Sequence, residues 1–185
     1  STAKRKNNFI RIDMEDSKLT QLTLNTYKDN IEHKDYLGIV LQAYLLRSKN
    51  DLESLSEKSN IRLCKGIYNE DKSIAIKDPE LINKNYIQLL NIAFSKKIYV
   101  GIATHDKKLI NDSLEIIKNN NIDKNQFEFQ MLYGVPMNKT IESLLKNNYK
   151  VRIYVPYGRN WYDYSIRRIK ENPNISKYII QNLFK

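Results

Sequence analysis

Six times along the chain a short run of β-branched and aromatic residues gives way to a segment with apolar residues at helical spacing. Phe9-Ile10-Arg11-Ile12 predicts the first strand. It ends in Asp13-Met14-Glu15-Asp16, and Ser17 then caps a helix whose apolar face is Leu19, Leu22 and Tyr27. Residues 37–44 form a nearly continuous apolar run, as expected of a parallel strand covered on both faces, with Gln42 as a polar interruption near its end; a short helix starts at Ser48 or Asn50. Residues 61–68 predict the third strand, with Arg62, Cys64 and Lys65 on it, and a polar loop leads to a helix from Pro79 carrying Leu81, Tyr86, Leu89, Leu90 and Ala93.

The fourth and fifth units are residues 99–106 with a helix carrying Leu109, Ile110, Leu114 and Ile117, and residues 127–134 with a helix carrying Ile141, Leu144 and Leu145. In the sixth, Val151, Ile153 and Val155 alternate with Arg152 and Tyr154 until Pro156 and Gly158 stop the strand, and a helix follows from Trp161 to Glu171. A last amphipathic segment runs from Ile175 to Phe184. Strand starts at residues 9, 37, 61, 99, 127 and 151 recur every 24 to 38 residues with no linker, the βα rhythm of one α/β domain. The architecture predicted is a (βα)8 TIM-type barrel, of which six βα units fit into residues 1–185.

Composition narrows the class. At 185 residues and 41% hydrophobic the chain is long and apolar enough to fold around a core of its own. The net charge of +10 suits anionic partners, but its lysines are scattered over helix faces, and no run exceeds Lys4-Arg5-Lys6. A generally basic surface is therefore expected rather than a nucleic-acid patch. Cys64 is the one cysteine, so no internal disulfide forms, and no apolar run reaches the length of a membrane helix.

In a parallel barrel the C-terminal strand ends converge on one mouth, which is where Asp13, Gln42, Arg62, Thr104, His105, Glu128, Gln130 and Tyr154 fall. Each has a plain alternative taken singly: the aspartate caps the next helix, the histidine satisfies a carbonyl, the tyrosine fills the core. Arg167 and Arg168 lie four and three residues before Glu171, so two guanidiniums and a carboxylate share a helix face, which could equally be solvated. Metal ligation by His105 is a poor fit, because the other histidine is the distant His33.

Taken together, Ile12 to Asp16, Arg62 to Tyr68, Ala103 to Asp106, Phe127 to Gly134, and Arg152 to Gly158 with Ile166-Arg167-Arg168 and Glu171 resemble, in order and spacing, the motif set of the bacterial monofunctional proline dehydrogenases. The resemblance covers essentially the whole chain, from the third strand of the family's barrel to its last helix. It implies FAD as cofactor, L-proline as substrate, 1-pyrroline-5-carboxylate as product and a quinone as electron acceptor. By the same resemblance Asp13 and Arg62 are catalytic, with Arg62 against the isoalloxazine. Met14, Gln42, Lys65, Gly66, Ile67, Thr104 and His105 contact FAD, with Lys65-Gly66-Ile67 following its ribityl and phosphate portion and Gly66 allowing close approach. Tyr154 packs on the proline ring, Arg167 and Arg168 hold the substrate carboxylate, and Glu171 pairs with them or meets the substrate nitrogen. No metal and no nucleic acid is implied. The compartment implied is the cytoplasm, with peripheral association at the inner membrane face. The family's second strand, whose lysine also binds the carboxylate, has no counterpart in these residues. Two open sheet edges then predict that the isolated 185 residues self-associate or form a distorted partial barrel, with FAD weakly held and little activity. The competing readings are a non-catalytic basic α/β domain binding phosphate or nucleic acid, and a flavin-independent barrel enzyme acting on a carboxylate.

Overall fold

The computed structural model describes residues 2–155, 157 and 158. In chain order its elements are α1 (Thr2–Arg5), β1 (Ile10–Ile12), α2 (Ser17–Asp29), a 3-10 turn (Ile31–His33), β2 (Leu37–Gln42), α3 (Ser48–Glu53), β3 (Asn60–Cys64), α4 (Pro79–Ser95), β4 (Tyr99–Ala103), α5 (Lys107–Asn119), β5 (Phe127–Leu132), α6 (Asn138–Lys146) and β6 (Val151–Tyr154). The alternation read from the sequence is therefore present from β1 to β6, and the fold is α/β with parallel strands. Two compact units make up the chain, residues 1–128 and a second beginning at Phe129.

In the first unit β1 to β4 pair in chain order, all parallel, with Ile12 opposite Ile39, Val40 opposite Arg62, and Arg62 opposite Gly101. The core under them is fully buried Ile39, Leu41, Ile61, Leu63, Val100 and Ile102 against Tyr86, Leu89, Leu90 and Ala93 of α4. Each buried leucine, isoleucine or valine here contributes roughly 1.5–3 kcal/mol, so Leu89 and Leu90 of α4 together outweigh any single polar contact described below. Phe94 meets Phe127 edge to face, with ring centres 6.1 Å apart. At the other end of the strands Arg11 donates to the Ile39 carbonyl at 2.9 Å and to Asn60 Oδ1 at 2.5 Å. In the second unit β5 and β6 pair in parallel, Leu132 opposite Tyr154, and Phe129 meets Tyr149 edge to face.

Several boundaries differ from the sequence reading. α2 is capped by Asp16, whose carboxylate accepts from the Lys18 N–H at 3.2 Å; Ser17 is already helical. Its buried face is Thr20, Thr23, Leu24 and Tyr27, a three-and-four spacing that leaves Leu19 and Leu22 exposed. β3 stops at Cys64 rather than at residue 68, because the chain turns at Gly66 with φ +107°, a value no strand residue adopts. β6 stops at Tyr154; Ile153 within it and Val155 just past it are exposed, so the alternating apolar residues of this stretch are not all buried. Among the described residues no helix is long and apolar enough to cross a membrane. The helix expected from Trp161 to Glu171 and the segment from Ile175 to Phe184 lie outside the described residues, as does Pro156.

Candidate functional site

The first unit brings nine of the expected residues to the C-terminal ends of its strands. Asp13 and Met14 follow β1, Gln42 closes β2, Arg62 lies in β3 with Lys65, Gly66 and Ile67 just past it, and Thr104 and His105 follow β4. Along β3, Ile61 and Leu63 point into the core, so strand alternation puts Arg62 and Cys64 on the other face. There Arg62 Nη1 donates to Asp13 Oδ1 at 2.5 Å; the guanidinium side chain is 18% exposed and the carboxylate 50%. Because Asp16 performs the capping, Asp13 is not the helix cap of the plain alternative.

Gln42 is buried and donates from Nε2 to the Glu15 carbonyl at 2.9 Å, while its backbone carbonyl accepts from Ser48 Oγ. Met14 is buried. Lys65 forms an ion pair with Asp106, Nζ to Oδ2 at 2.6 Å. Asp106 also caps α5, accepting from the Lys108 N–H at 2.9 Å and the Leu109 N–H at 3.4 Å, and its own N–H reaches Thr104 Oγ1 at 3.1 Å. Partial burial opposes ionisation of Asp106, but the Lys65 ammonium and the two helix N–H groups outweigh it and hold the carboxyl below its usual range.

Gly66 has a steric reason that the sequence does not reveal. A Cβ on it would sit 2.0 Å from Cδ1 of Tyr44, so the close approach it allows in this structure is to a tyrosine ring. The Tyr44 ring is buried with Leu45 and Ala75 and backed by Ile82, a small core beneath the β3–α4 loop. Its hydroxyl is buried and unpartnered, and desolvation, followed by the nearby Glu70 carboxylate, pushes its pKa well above normal. The loop returns to the segment that follows β2 through an antiparallel bridge of Leu45 with Ala75, and Asn85 Nδ2 donates to the Ala43 carbonyl at 2.6 Å.

Two titratable groups complete the rim. Cys64 is half-buried with its thiol directed at the Leu41 carbonyl, 3.6 Å away. Desolvation pushes it up to about 11, against the opposing pull of Arg62. His105 keeps an exposed edge, yet its neighbours desolvate the ring enough to lower its pKa, so the imidazole is neutral at pH 7. The native state then binds fewer protons than the unfolded one just below pH 6.5, so stability falls as pH drops through that value. His105→Gln is expected to flatten the pH dependence of the melting temperature between pH 7.5 and 5.5, modestly because the ring is partly hydrated. An unchanged slope would mean that the imidazole is not desolvated in solution.

Several residues that contact this site were not singled out from the sequence: Glu15, Ser17, Tyr44, Tyr68, Glu70 and Asp106. Only Asp106 carried a usable signal, an aspartate directly before a helical run. Tyr154 ends β6 in the second unit, half-buried, its carbonyl accepting from the Tyr133 N–H at 2.8 Å. Glu128 and Gln130 are both buried. Arg167, Arg168 and Glu171 lie outside the described residues. Among the described residues no three His, Cys, Asp or Glu side chains gather as a metal set.

Comparison with known proteins gives one family throughout. Its family model, proline dehydrogenase, matches residues 1–181. Proline dehydrogenase 2 of Bacillus subtilis is 36% identical over 185 residues, covering all of this chain and 61% of the relative. Proline dehydrogenase of Deinococcus radiodurans is 37% identical over 186 residues, covering 99% of this chain and 60% of the relative. The chain thus spans about three fifths of the length of the curated relatives it matches. Among solved structures, a bifunctional proline utilization A (PutA) protein superposes with a TM-score of 0.80 over 92% of this chain and 20% of that one, at 22% identity. PutA from Bdellovibrio bacteriovorus inactivated by N-propargylglycine superposes with a TM-score of 0.75 over 85% of this chain and 19% of that one, at 25% identity. These neighbours bear out the TIM-type barrel class expected from the βα rhythm. With its family model matched over residues 1–181, this chain belongs to the proline dehydrogenase family.

Proposed function

We propose that the protein oxidises L-proline to 1-pyrroline-5-carboxylate with FAD and passes the electrons to a quinone. The observation that carries this reading is the Arg62–Asp13 pair at the strand ends beside the buried amide of Gln42. A guanidinium never titrates near neutral pH, so it provides a fixed positive charge, and the neighbouring amide adds a neutral hydrogen-bonding group. That combination suits a flavin ring, which gains negative charge along one edge when reduced. The residues present therefore fit FAD, with Arg62, Gln42 and Met14 serving the ring and Lys65, Gly66, Ile67, Thr104 and His105 serving the rest of the molecule.

FAD, when bound, supplies the acceptor for the hydride that leaves the carbon beside the proline nitrogen. The chain contributes charge, orientation and dryness. Asp13 holds the Arg62 guanidinium in one rotamer, the Glu15 carbonyl holds the Gln42 amide while Ser48 fixes the backbone carbonyl of the same residue, and Met14 is buried. Because Asp13 is half exposed, its pair with Arg62 contributes at most about 1 kcal/mol to stability; its use is in orientation. Arg167 and Arg168 are assigned to the proline carboxylate, Tyr154 to its ring and Glu171 to the arginines or the substrate nitrogen. Quinone reduction is consistent with a cytoplasmic protein loosely held at the inner membrane face.

The test is a visible spectrum of the natural full-length protein. It should purify yellow and bleach on addition of L-proline, and a quinone should restore the colour. A colourless protein that turns over a carboxylate substrate, or one retained on nucleic acid in a salt-sensitive way, would replace this reading.

A further inference from the structure

Residues 13–17, from the end of β1 to the first residue of α2, are gripped at four points by groups that come from elsewhere in the chain. Arg62 takes Asp13, Gln42 takes the Glu15 carbonyl, and Tyr68 Oη donates to Glu15 Oε2 at 2.6 Å. The fourth grip is of a different kind. Glu70 accepts with both carboxylate oxygens from one residue, the Ser17 N–H at 2.7 Å and the Ser17 hydroxyl at 2.8 Å, across 53 residues of sequence.

Capping α2 does not require this contact, since Asp16 already does that locally. What Glu70 adds is a long-range tie between the segment that carries Asp13 and the loop that follows the strand carrying Arg62. The β3–α4 loop that presents it runs from residue 65 to residue 78, a length at which a connection usually has a task of its own. The loop is not loose at that point, because Lys77 Nζ donates to the Glu70 carbonyl and the Tyr44, Leu45 and Ala75 core lies below. A two-oxygen, two-donor contact also fixes direction as well as distance, which a single hydrogen bond does not.

We propose that Glu70 is a positioning residue: by clipping Ser17 it sets the register of the Asp13–Glu15 segment against β3, and so the orientation of the Arg62 guanidinium. This rests on the reading of Arg62 as the fixed charge beside the flavin, and it adds to that reading a residue that touches neither cofactor nor substrate.

The experiment uses the natural full-length protein with Glu70→Ala, Glu70→Gln, Ser17→Ala and the Ser17→Ala/Glu70→Ala double variant. For Glu70→Ala, kcat per bound flavin should fall about tenfold, the lower end for partners that orient a catalytic group, with KM for proline, flavin content and melting temperature little changed. The double variant should be no worse than Glu70→Ala alone, because both remove one contact. Glu70→Gln keeps an acceptor for Ser17 and should recover much of the rate. Hydrogen exchange gives a readout independent of turnover: amides of residues 13–18 should exchange faster in Glu70→Ala while those of β3 do not. If the wild type itself lacks flavin and proline turnover, the functional reading fails and exchange alone still tests the clip. Normal kcat with unchanged exchange in Glu70→Ala overturns the proposal. So does a loss of melting temperature with normal kcat per flavin, the signature of a merely structural tie. Should Glu70→Ala fail to fold, Ser17→Ala and Glu70→Gln carry the same comparisons.

Discussion

Arg62→Met in the natural full-length protein is expected to lower kcat for proline by at least about a hundredfold, the usual loss when one fixed charge-stabilising donor is removed, while the melting temperature stays within a few degrees. The two effects separate because of where the side chain sits. Arg62 rises from a strand whose own core contacts are Ile61 and Leu63, and methionine can fill the volume of the arginine stem. Its ion-pair partner is half solvated, so little folding energy is lost with it. What disappears is a permanent positive charge, held in one direction by Asp13. Arg62→Lys keeps the charge but loses the planar fork, and should fall between wild type and methionine. The flavin absorption spectrum and reduction potential, measured beside the kinetics, identify the cause. If kcat falls while both flavin properties stay the same, the guanidinium acts on something other than the cofactor; if kcat does not fall, Arg62 is not part of the machinery.

Gly66→Ala is expected to destabilise the chain severely for the addition of a single methyl group. The added Cβ would lie 2.0 and 2.3 Å from two ring carbons of Tyr44, and the backbone φ of +107° is strained for any residue with a side chain. Overpacking costs about 1–3 kcal/mol and the backbone about 1–3 more, a sizeable part of a domain's stability. The loop would have to lift from Tyr44, moving Lys65 and Ile67 on either side. Pairing the change with Tyr44→Ala separates the two costs: the steric part should vanish and the backbone part remain, so the double variant should be less destabilised than the two single losses added together. Strict additivity in melting experiments would show that Gly66 and Tyr44 do not meet. Tyr44→Phe provides the control, removing a buried hydroxyl that has no partner, and should be neutral or slightly stabilising.

The order of strands and helices was legible because the signals are local. Ile39 to Leu41 reads as buried in any context, and Pro79 after Asp78 starts a helix wherever it stands. Strand ends were legible only to within a few residues, because Lys65-Gly66-Ile67-Tyr68 has good strand composition and leaves the sheet for a reason in tertiary space, the ring of Tyr44. Leu19 and Leu22 misled for a similar reason. Their hydrophobicity outweighs that of Thr20 and Thr23 on any scale, but the face that meets the sheet is fixed by Leu24 and Tyr27, and the threonines share it. Of the site, residue types at strand ends could be read, whereas their partners could not. Nothing in the sequence links Glu70 to Ser17 or Asp106 to Lys65, since such pairs are set by how two loops cross.

Cys64 gives the chain a built-in clock. It is the one cysteine in the sequence, and with a thiol pushed up to about 11, only about one molecule in 10⁴ carries a thiolate at pH 7. An unfolded thiol titrates near its ordinary value, so alkylating reagents should modify the unfolded protein at least about a hundred times faster than the folded one. Labelling of the folded protein faster than that floor then reports opening of β3 away from the Leu41 carbonyl on β2. Timed alkylation followed by intact-mass measurement would show how far a variant raises that opening in the strand that carries Arg62.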